Sequence, residues 1–213
     1  MTERLNIIYS HILGGVLFSD VGCDHGLISQ RVLKENKYNR VIISDISKKS
    51  LQKAEILLKE YGSRVTSVVS DGYKEYTEIP HESVIAGMGG LEISKILLGA
   101  KILPKRLILN PMKNVDTLRR TLINLGYSIE RDYTIKDGKF YDIIVANIGK
   151  DSYTEKEYLF GRENLQKMYP AFTQKLKYYL NIYQNSLTDD ITSESKKELL
   201  EKINQIQGVL NGY

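Results

Sequence analysis

The chain is poor in the residues that would mark several common chemistries. A single cysteine, Cys23, excludes an internal disulfide framework. The three histidines, His11, His25 and His81, are scattered, and with one cysteine they offer no metal-ligand spacing, so no metal is expected. No apolar run approaches the ~20 residues of a membrane span. Met1 to Ile8 is charged and too short in apolar length for a signal peptide, so a cytoplasmic protein with no membrane partner is expected. A large excess of either charge is also lacking: the net is +4 over 213 residues. That small excess lies entirely in residues 1–150, which carry +5, against −1 for the remainder. A polyanionic partner would therefore be steered to the first part. Hydrophobic residues at 42% and charged residues at 26% leave an ordinary globular chain, long enough for a sizeable core.

What is present begins with VLFSDVGCDHG, Val16 to Gly26. An apolar run ends in an acid, two glycines follow at Gly22 and Gly26, and Leu27 to Lys37 then has helical periodicity. The order is strand, tight turn, helix. A turn that passes under a ligand brings bare backbone into contact and favours glycine. The spacing D-x-G-x-x-x-G differs from the G-x-G-x-x-G of a pyrophosphate-binding turn, and the acid at the strand end favours an amino group over phosphate. An ordinary β-α turn with glycines is the plainer alternative. Cys23 inside this turn invites a nucleophile hypothesis, against which stands the simpler reading of a small residue tolerated in a tight bend.

From there the pattern alternates. Strands are predicted at Val16 to Asp20, Arg40 to Asp45, Val65 to Ser70, Ser83 to Ala86 and Arg106 to Asn110. Helices are predicted at Leu27 to Lys37, Ser47 to Tyr61, Leu91 to Ala100 and Val115 to Leu125. Ser47 reads as an N-cap, and Gly62 and Gly126 as glycines terminating the helices before them. Alternating βα units imply a parallel sheet with helices on both faces, which binds ligands at the carboxyl ends of its strands. Tyr127 to Ile135 and Phe140 to Ile148 then form two β-rich runs around Asp137-Gly138, a strong hairpin signal. Five βα units followed by a hairpin resemble the class I methyltransferase sheet, a Rossmann-like arrangement. That resemblance implies seven strands, one of them antiparallel.

Beyond Lys150 the strands stop, giving a division into residues 1–150 and 151–213. Leu165, Tyr169, Phe172, Leu176, Tyr179, Tyr183 and Leu187 recur at helical spacing, as do Leu199, Ile203, Ile206 and Leu210. With Asp189-Asp190 between the stripes, a helical hairpin or antiparallel coiled coil is the simplest reading. Pro170 starts or kinks the first helix. Seven tyrosines in this segment either pack or stack on bases.

The chemistry converges on the strand ends. Asp20, Gly22, Asp24 and Gly26 close the first strand, Asp45 with Ile46 the second, Asp71-Gly72 the third, Gly87-Met88-Gly89-Gly90 the fourth and Asn110-Pro111 the fifth. Asp45 is placed to accept from both hydroxyls of a ribose, and Asp71 from an exocyclic amine, with Gly72 leaving room for a flat ring. Acids closing three successive strands indicate an adenosine site. The adenosine ligand that uses such a set without phosphate is S-adenosyl-L-methionine, its amino acid end near Asp20 and the glycine turn.

The segments DVGCDHG, SDG, IAGMGG, LILNPM and GKFYDIIVANIGK, in this order and spacing, resemble the bacterial tRNA (adenine(22)-N1)-methyltransferases. The similarity covers Leu5 to Lys150 and continues through YLFG at Tyr158 to Gly161 into the helical tail. AGMGG is its most specific element; the Asn/Asp-Pro-Pro-aromatic of many enzymes acting on base amino groups is absent. The family's fifth strand more often ends in Gln-Pro, so Asn110 departs from the pattern. The resemblance implies methyl transfer from S-adenosyl-L-methionine to N1 of an adenine in tRNA; separately, a monomer is expected. Asp24 would stabilise the base or assist loss of an N6 proton, His25 would orient it, and Asn110 would contact the base edge; equally, these residues could fix the turn and cap a helix. The AGMGG glycines would admit the target base, with Met88 beside it. A methyltransferase of small molecules with the tail as lid, and a non-catalytic adenosine-binding module, are the alternatives.

Overall fold

The computed structural model describes residues 1–188 and 191–212. Seven strands form one sheet: β1 (Gly15–Val21), β2 (Tyr38–Asp45), β3 (Val65–Val69), β4 (Glu82–Ala86), β5 (Arg106–Asn110), β6 (Tyr127–Asp137) and β7 (Lys139–Ile148). Their order is β3-β2-β1-β4-β5-β7-β6, and β7 alone runs against the rest. The β6–β7 turn is closed by Gly138 at φ +69°, the left-handed conformation that a tight hairpin needs and glycine adopts without strain.

Side-chain alternation divides the core. Along β2, Val41 and Ile43 join one apolar cluster with Ile8 of α1 (Glu3–Ser10), Val32 of α2 (Leu27–Lys34) and Leu51 of α3 (Lys48–Leu57). Ile42 between them joins a second cluster with Ile93 of α4 (Gly90–Leu98) and Leu118 and Leu122 of α5 (Val115–Asn124). Because both sheet faces are covered, the central strands carry consecutive rather than alternating apolar residues, VII at 41–43 and LIL at 107–109. Each fully buried aliphatic side chain contributes about 1.5–3 kcal/mol.

Two departures from the sequence reading, and one gap it left between helices, have physical causes. The helix expected over Ser47 to Tyr61 ends at Leu57 and continues as a 3-10 turn, Lys59–Arg64, in which Gly62 is non-helical at φ +50°, ψ −125°. Ser47 does cap it, accepting from the Ser50 N–H at 3.2 Å. Between β3 and β4, where no helix is predicted, turns take the place of a crossover helix. There Tyr73 and Tyr76 pack edge to face at 5.2 Å, and the Tyr73 hydroxyl donates to Ser83 Oγ at 2.7 Å. Finally, α1 and the short α6 (Glu155–Phe160) and α7 (Arg162–Lys167) had no sequence signal long enough to read.

In the tail, α8 (Pro170–Asn185) begins at Pro170, where a missing N–H is harmless. It pairs with α9 (Ser193–Leu210) around Phe172, Leu176, Ile206 and Val209. Asp189-Asp190 and Tyr213 lie outside the described residues. The tail is bonded to the sheet. Arg119, 1% exposed, chelates Asp132 at 2.9 Å and donates to the carbonyls of Tyr158 and Leu159. Arg131 pairs with Glu163 at 2.8 Å and Lys175 with Asp142 at 2.5 Å.

Candidate functional site

Strand order reverses between β2-β1 and β4-β5, and at this switch point the carboxyl ends open into a cavity of about 330 Å³. Its wall is built from Asp20 and Gly22 of the first strand end, Asp45 of the second, Ala86, Gly87 and Met88 of the fourth, and the turn Cys23-Asp24-His25. Arg4 and Leu5, from the helix that precedes the sheet, close it on another side.

Asp20 is buried, 5% exposed, and accepts from the Ser29 hydroxyl at 2.8 Å. The Ser29 backbone N–H adds to this, so the carboxyl serves the start of α2, whose own N-cap, Gly26, has no side chain to offer. Burial outweighs those bonds and pushes the Asp20 carboxyl up to about 7. Asp45 is half-buried, and its Oδ1 accepts from the Ser47 N–H at 2.8 Å, which leaves the second oxygen for another donor. Cys23 is buried, and desolvation first, then Asp20 and Asp45, push its thiol well above the ordinary range. A thiolate is disfavoured there, which supports the packing reading of this cysteine over the nucleophile.

Glycine is required at Gly22 by its left-handed backbone and at Gly90 by close approach of another backbone segment. A Cβ on Gly22, at φ +68°, would meet Met88 Cε at 2.1 Å. One on Gly90 would meet the Asn114 carbonyl at 2.1 Å, so the AGMGG turn lies directly on the loop after β5. Gly87, at φ +85°, faces open space, and Gly26 packs against Ala54. Asp24 adopts φ +44° at the rim, exposed, with His25 Nε2 at 3.7 Å and Lys53 Nζ at 3.8 Å. Ile46 is 73% exposed.

The remaining expected residues lie around this cavity rather than on its wall. Asp71 is exposed, pairs with Lys74 at 2.6 Å, and lines a neighbouring cleft together with Gly89, Lys95 and Lys113. Gly72 sits against Ile96. Asn110 is fully buried: its oxygen accepts from Arg4 at 3.3 Å, and its NH₂ donates to the Asp142 carbonyl at 2.9 Å. It therefore stands behind Arg4 rather than on the cavity wall. Among the described residues no group of three or more His, Cys, Asp or Glu could hold a metal ion, and no helix is long and apolar enough to cross a membrane.

A family model described as a methyltransferase domain matches residues 1–144. The chain belongs to this methyltransferase family. A candidate tRNA methyltransferase of Mycoplasma pneumoniae is 28% identical over 199 residues, 89% of this chain and 91% of the relative. A candidate tRNA (m1A22) methyltransferase of Streptococcus pneumoniae, solved in complex with S-adenosyl-L-methionine, superposes with a TM-score of 0.88 at 26% identity, over 99% of both chains. A Rossmann-superfamily protein of Streptococcus agalactiae does so with a TM-score of 0.91, also at 26%, over 99% of this chain and 97% of that one.

Within this methyltransferase the sequence reading missed Arg4 and Leu5, which belong to no motif and reach the cavity only because α1 folds back over the strand ends. The Arg4 N–H donates to Asp137 in the distant β6–β7 hairpin at 3.0 Å. It missed Gly90 as a contact of the loop after β5, although the doubled glycine was visible.

Proposed function

We propose that this protein transfers a methyl group from S-adenosyl-L-methionine to N1 of adenine 22 in tRNA, as a cytoplasmic monomer that needs no metal. The observation that supports it most is the cavity at the switch point, walled by three acids and bare glycine backbone, in a chain similar end to end to the pneumococcal protein. The donor set fits the cofactor: Asp45 keeps an oxygen for ribose hydroxyls, Asp20 offers a buried acid to an ammonium, and Gly87 leaves open space that a side chain would fill. When bound, the cofactor supplies an electrophilic methyl on a sulfonium.

Adenine N1 has an in-plane lone pair and carries no proton in the neutral base, so it attacks without a strong general base. The protein has to hold the base in line and stabilise the positive charge that develops on it. Asp24, exposed at the rim with His25 beside it, is the carboxylate we assign to that charge. Asn110 holds Arg4 in place and keeps one amide hydrogen and one lone pair for the base edge. Gly22, Gly26, Ile46, Asp71, Gly72, Met88 and Gly89 complete the cofactor surroundings in this reading. Residues 1–150 would bind the cofactor and 151–213 the surrounding tRNA, while the adenine leaves its stack to be reached. No residue after Lys150 lines the cavity among those described, which favours the tRNA role of the tail over a lid on a small-molecule site.

The test is to incubate the protein and methyl donor with a tRNA transcript carrying A22 and with one carrying G22, then map nucleosides by mass. A single methyl at position 22 of the first alone is expected. Transfer to both, to neither, or to another position would overturn the assignment.

A further inference from the structure

We infer that Arg4 is the carboxylate-binding residue of the methyl-donor site, holding the amino acid end of S-adenosyl-L-methionine opposite Asp20. The inference rests on the donor reading above and extends it to a residue that no motif identifies.

The argument starts from charge. The amino acid end of the donor is a zwitterion, so a site that desolvates it must satisfy both an ammonium and a carboxylate. Asp20 supplies the acid. Among the described residues lining the cavity, Arg4 is the only arginine or lysine. A guanidinium presents two parallel donors that match a carboxylate, so it is suited to that partner.

Among the described residues the guanidinium groups of two of the nine arginines, Arg4 and Arg64, hold no carboxylate, and only Arg4 lines the cavity. Arg64 donates to the backbone carbonyls of Tyr38 and Asn39. The Arg4 guanidinium has only neutral partners among the described residues: Asn110 Oδ1 at 3.3 Å, the Met112 sulfur at 3.9 Å, and the Tyr141 ring, whose centroid is 5.0 Å away. It is half-buried, yet its charge is unmatched. Those contacts use one edge and one face of the group and fix its direction, so little side-chain entropy is lost on binding. The backbone supports this, because the Arg4 N–H is tied to Asp137 and the residue sits in the first turn of a helix whose Ile8 is fully buried. Asn110 thereby gains a role as the residue that orients Arg4.

The experiment compares two donors on the same proteins by calorimetry: S-adenosyl-L-methionine, and decarboxylated S-adenosylmethionine, which keeps the ammonium and sulfonium but lacks the carboxylate. Wild type is expected to bind the first more tightly. Arg4→Ala is expected to lose about 10- to 100-fold in affinity for S-adenosyl-L-methionine, the range for a charged hydrogen-bonded pair, and less than about threefold for the decarboxylated donor. Binding of the second donor shows in the same sample that the variant is folded. Arg4→Lys, which keeps the charge but not the fork, should fall between them. Equal losses for both donors, or no loss for either, would overturn the inference. So would unchanged donor affinity with a raised KM for tRNA, which would give Arg4 to the nucleic acid. If wild type binds neither donor, the donor site itself is wrong, a failure distinct from that of Arg4.

Discussion

At the scale of single residues, Asp20 is where burial and function meet. Its carboxyl is held near 7 against an ordinary 3.8 because desolvation outweighs the Ser29 hydrogen bonds. The folded chain therefore holds this proton more tightly than the unfolded chain does. Without ligand, the contribution of Asp20 to stability falls as pH rises from about 4 through about 7, by about 1.4 kcal/mol per unit, and is level above that. Donor binding has the opposite slope, since an ammonium prefers the ionised acid. Affinity for S-adenosyl-L-methionine should rise up to tenfold per unit between pH 5 and 7 and then level off, and Asp20→Asn should flatten that dependence. Calorimetry at three pH values checks this; a wild-type affinity independent of pH would remove Asp20 from the ammonium site. Asp45 sits in a more polar place with one oxygen committed to the Ser47 N–H. Asp45→Ala is expected to weaken the donor by about 1–3 kcal/mol, as for losing hydrogen bonds to a charged acceptor, and unchanged binding would exclude a ribose role. Both acids were legible in the sequence because each ends an apolar run. Arg4 was not, since nothing local marks a residue whose partners are Asn110, Asp137 and Tyr141, all more than a hundred positions away.

At the scale of elements, most of the sheet could be read because buried parallel strands are apolar throughout and their connecting helices are amphipathic, two signals that differ sharply in period. The hairpin was legible from Asp137-Gly138 alone. What could not be read was short or held from elsewhere. α6 is a helix of six residues fixed by a capping box between Thr154 and Glu157 and by Arg119, which reaches across from α5 to its carbonyls. In the turns before β4, Tyr73 and Tyr76 are buried edge to face against each other, a packing with no local sequence pattern. Arg119 gives the sharpest test at this scale. It joins α5, β6 and α6 through Asp132 and the two carbonyls, with its side chain almost wholly buried. Arg119→Ala would leave the buried Asp132 with only the Tyr153 hydroxyl at 3.2 Å, so a loss of roughly 3–5 kcal/mol is expected in denaturant unfolding. A change under about 1 kcal/mol would mean that water replaces the guanidinium freely and that the tail is held by its apolar contacts instead.

At the scale of the whole molecule, the question is how separable the helical tail is from the sheet it follows. The cavity draws every described lining residue from the first 88 positions, so removing the tail takes nothing from the proposed cofactor wall. The tail does satisfy buried groups of the sheet. Asn164 accepts from the Thr134 N–H at 2.9 Å, Lys175 neutralises Asp142, and the Asp142 carbonyl in turn holds Asn110. A chain ending at Lys150 would expose these groups and is expected to melt lower than the full chain, so cofactor affinity would have to be measured on a sample shown to unfold cooperatively. A chain ending at Ser186 is the gentler cut, because it keeps Lys175 and Asn164 and removes only α9, which leaves Phe172 and Leu176 uncovered. For that shorter chain we expect S-adenosyl-L-methionine affinity within about threefold of the full chain, a difference under 1 kcal/mol, together with a marked loss of kcat/KM for tRNA. Full tRNA kinetics without α9 would show that the last helix serves some other contact. Loss of cofactor binding in a cooperatively folded sample would show that the path from α8 through Asp142 and Asn110 to Arg4 carries the tail's influence into the cavity.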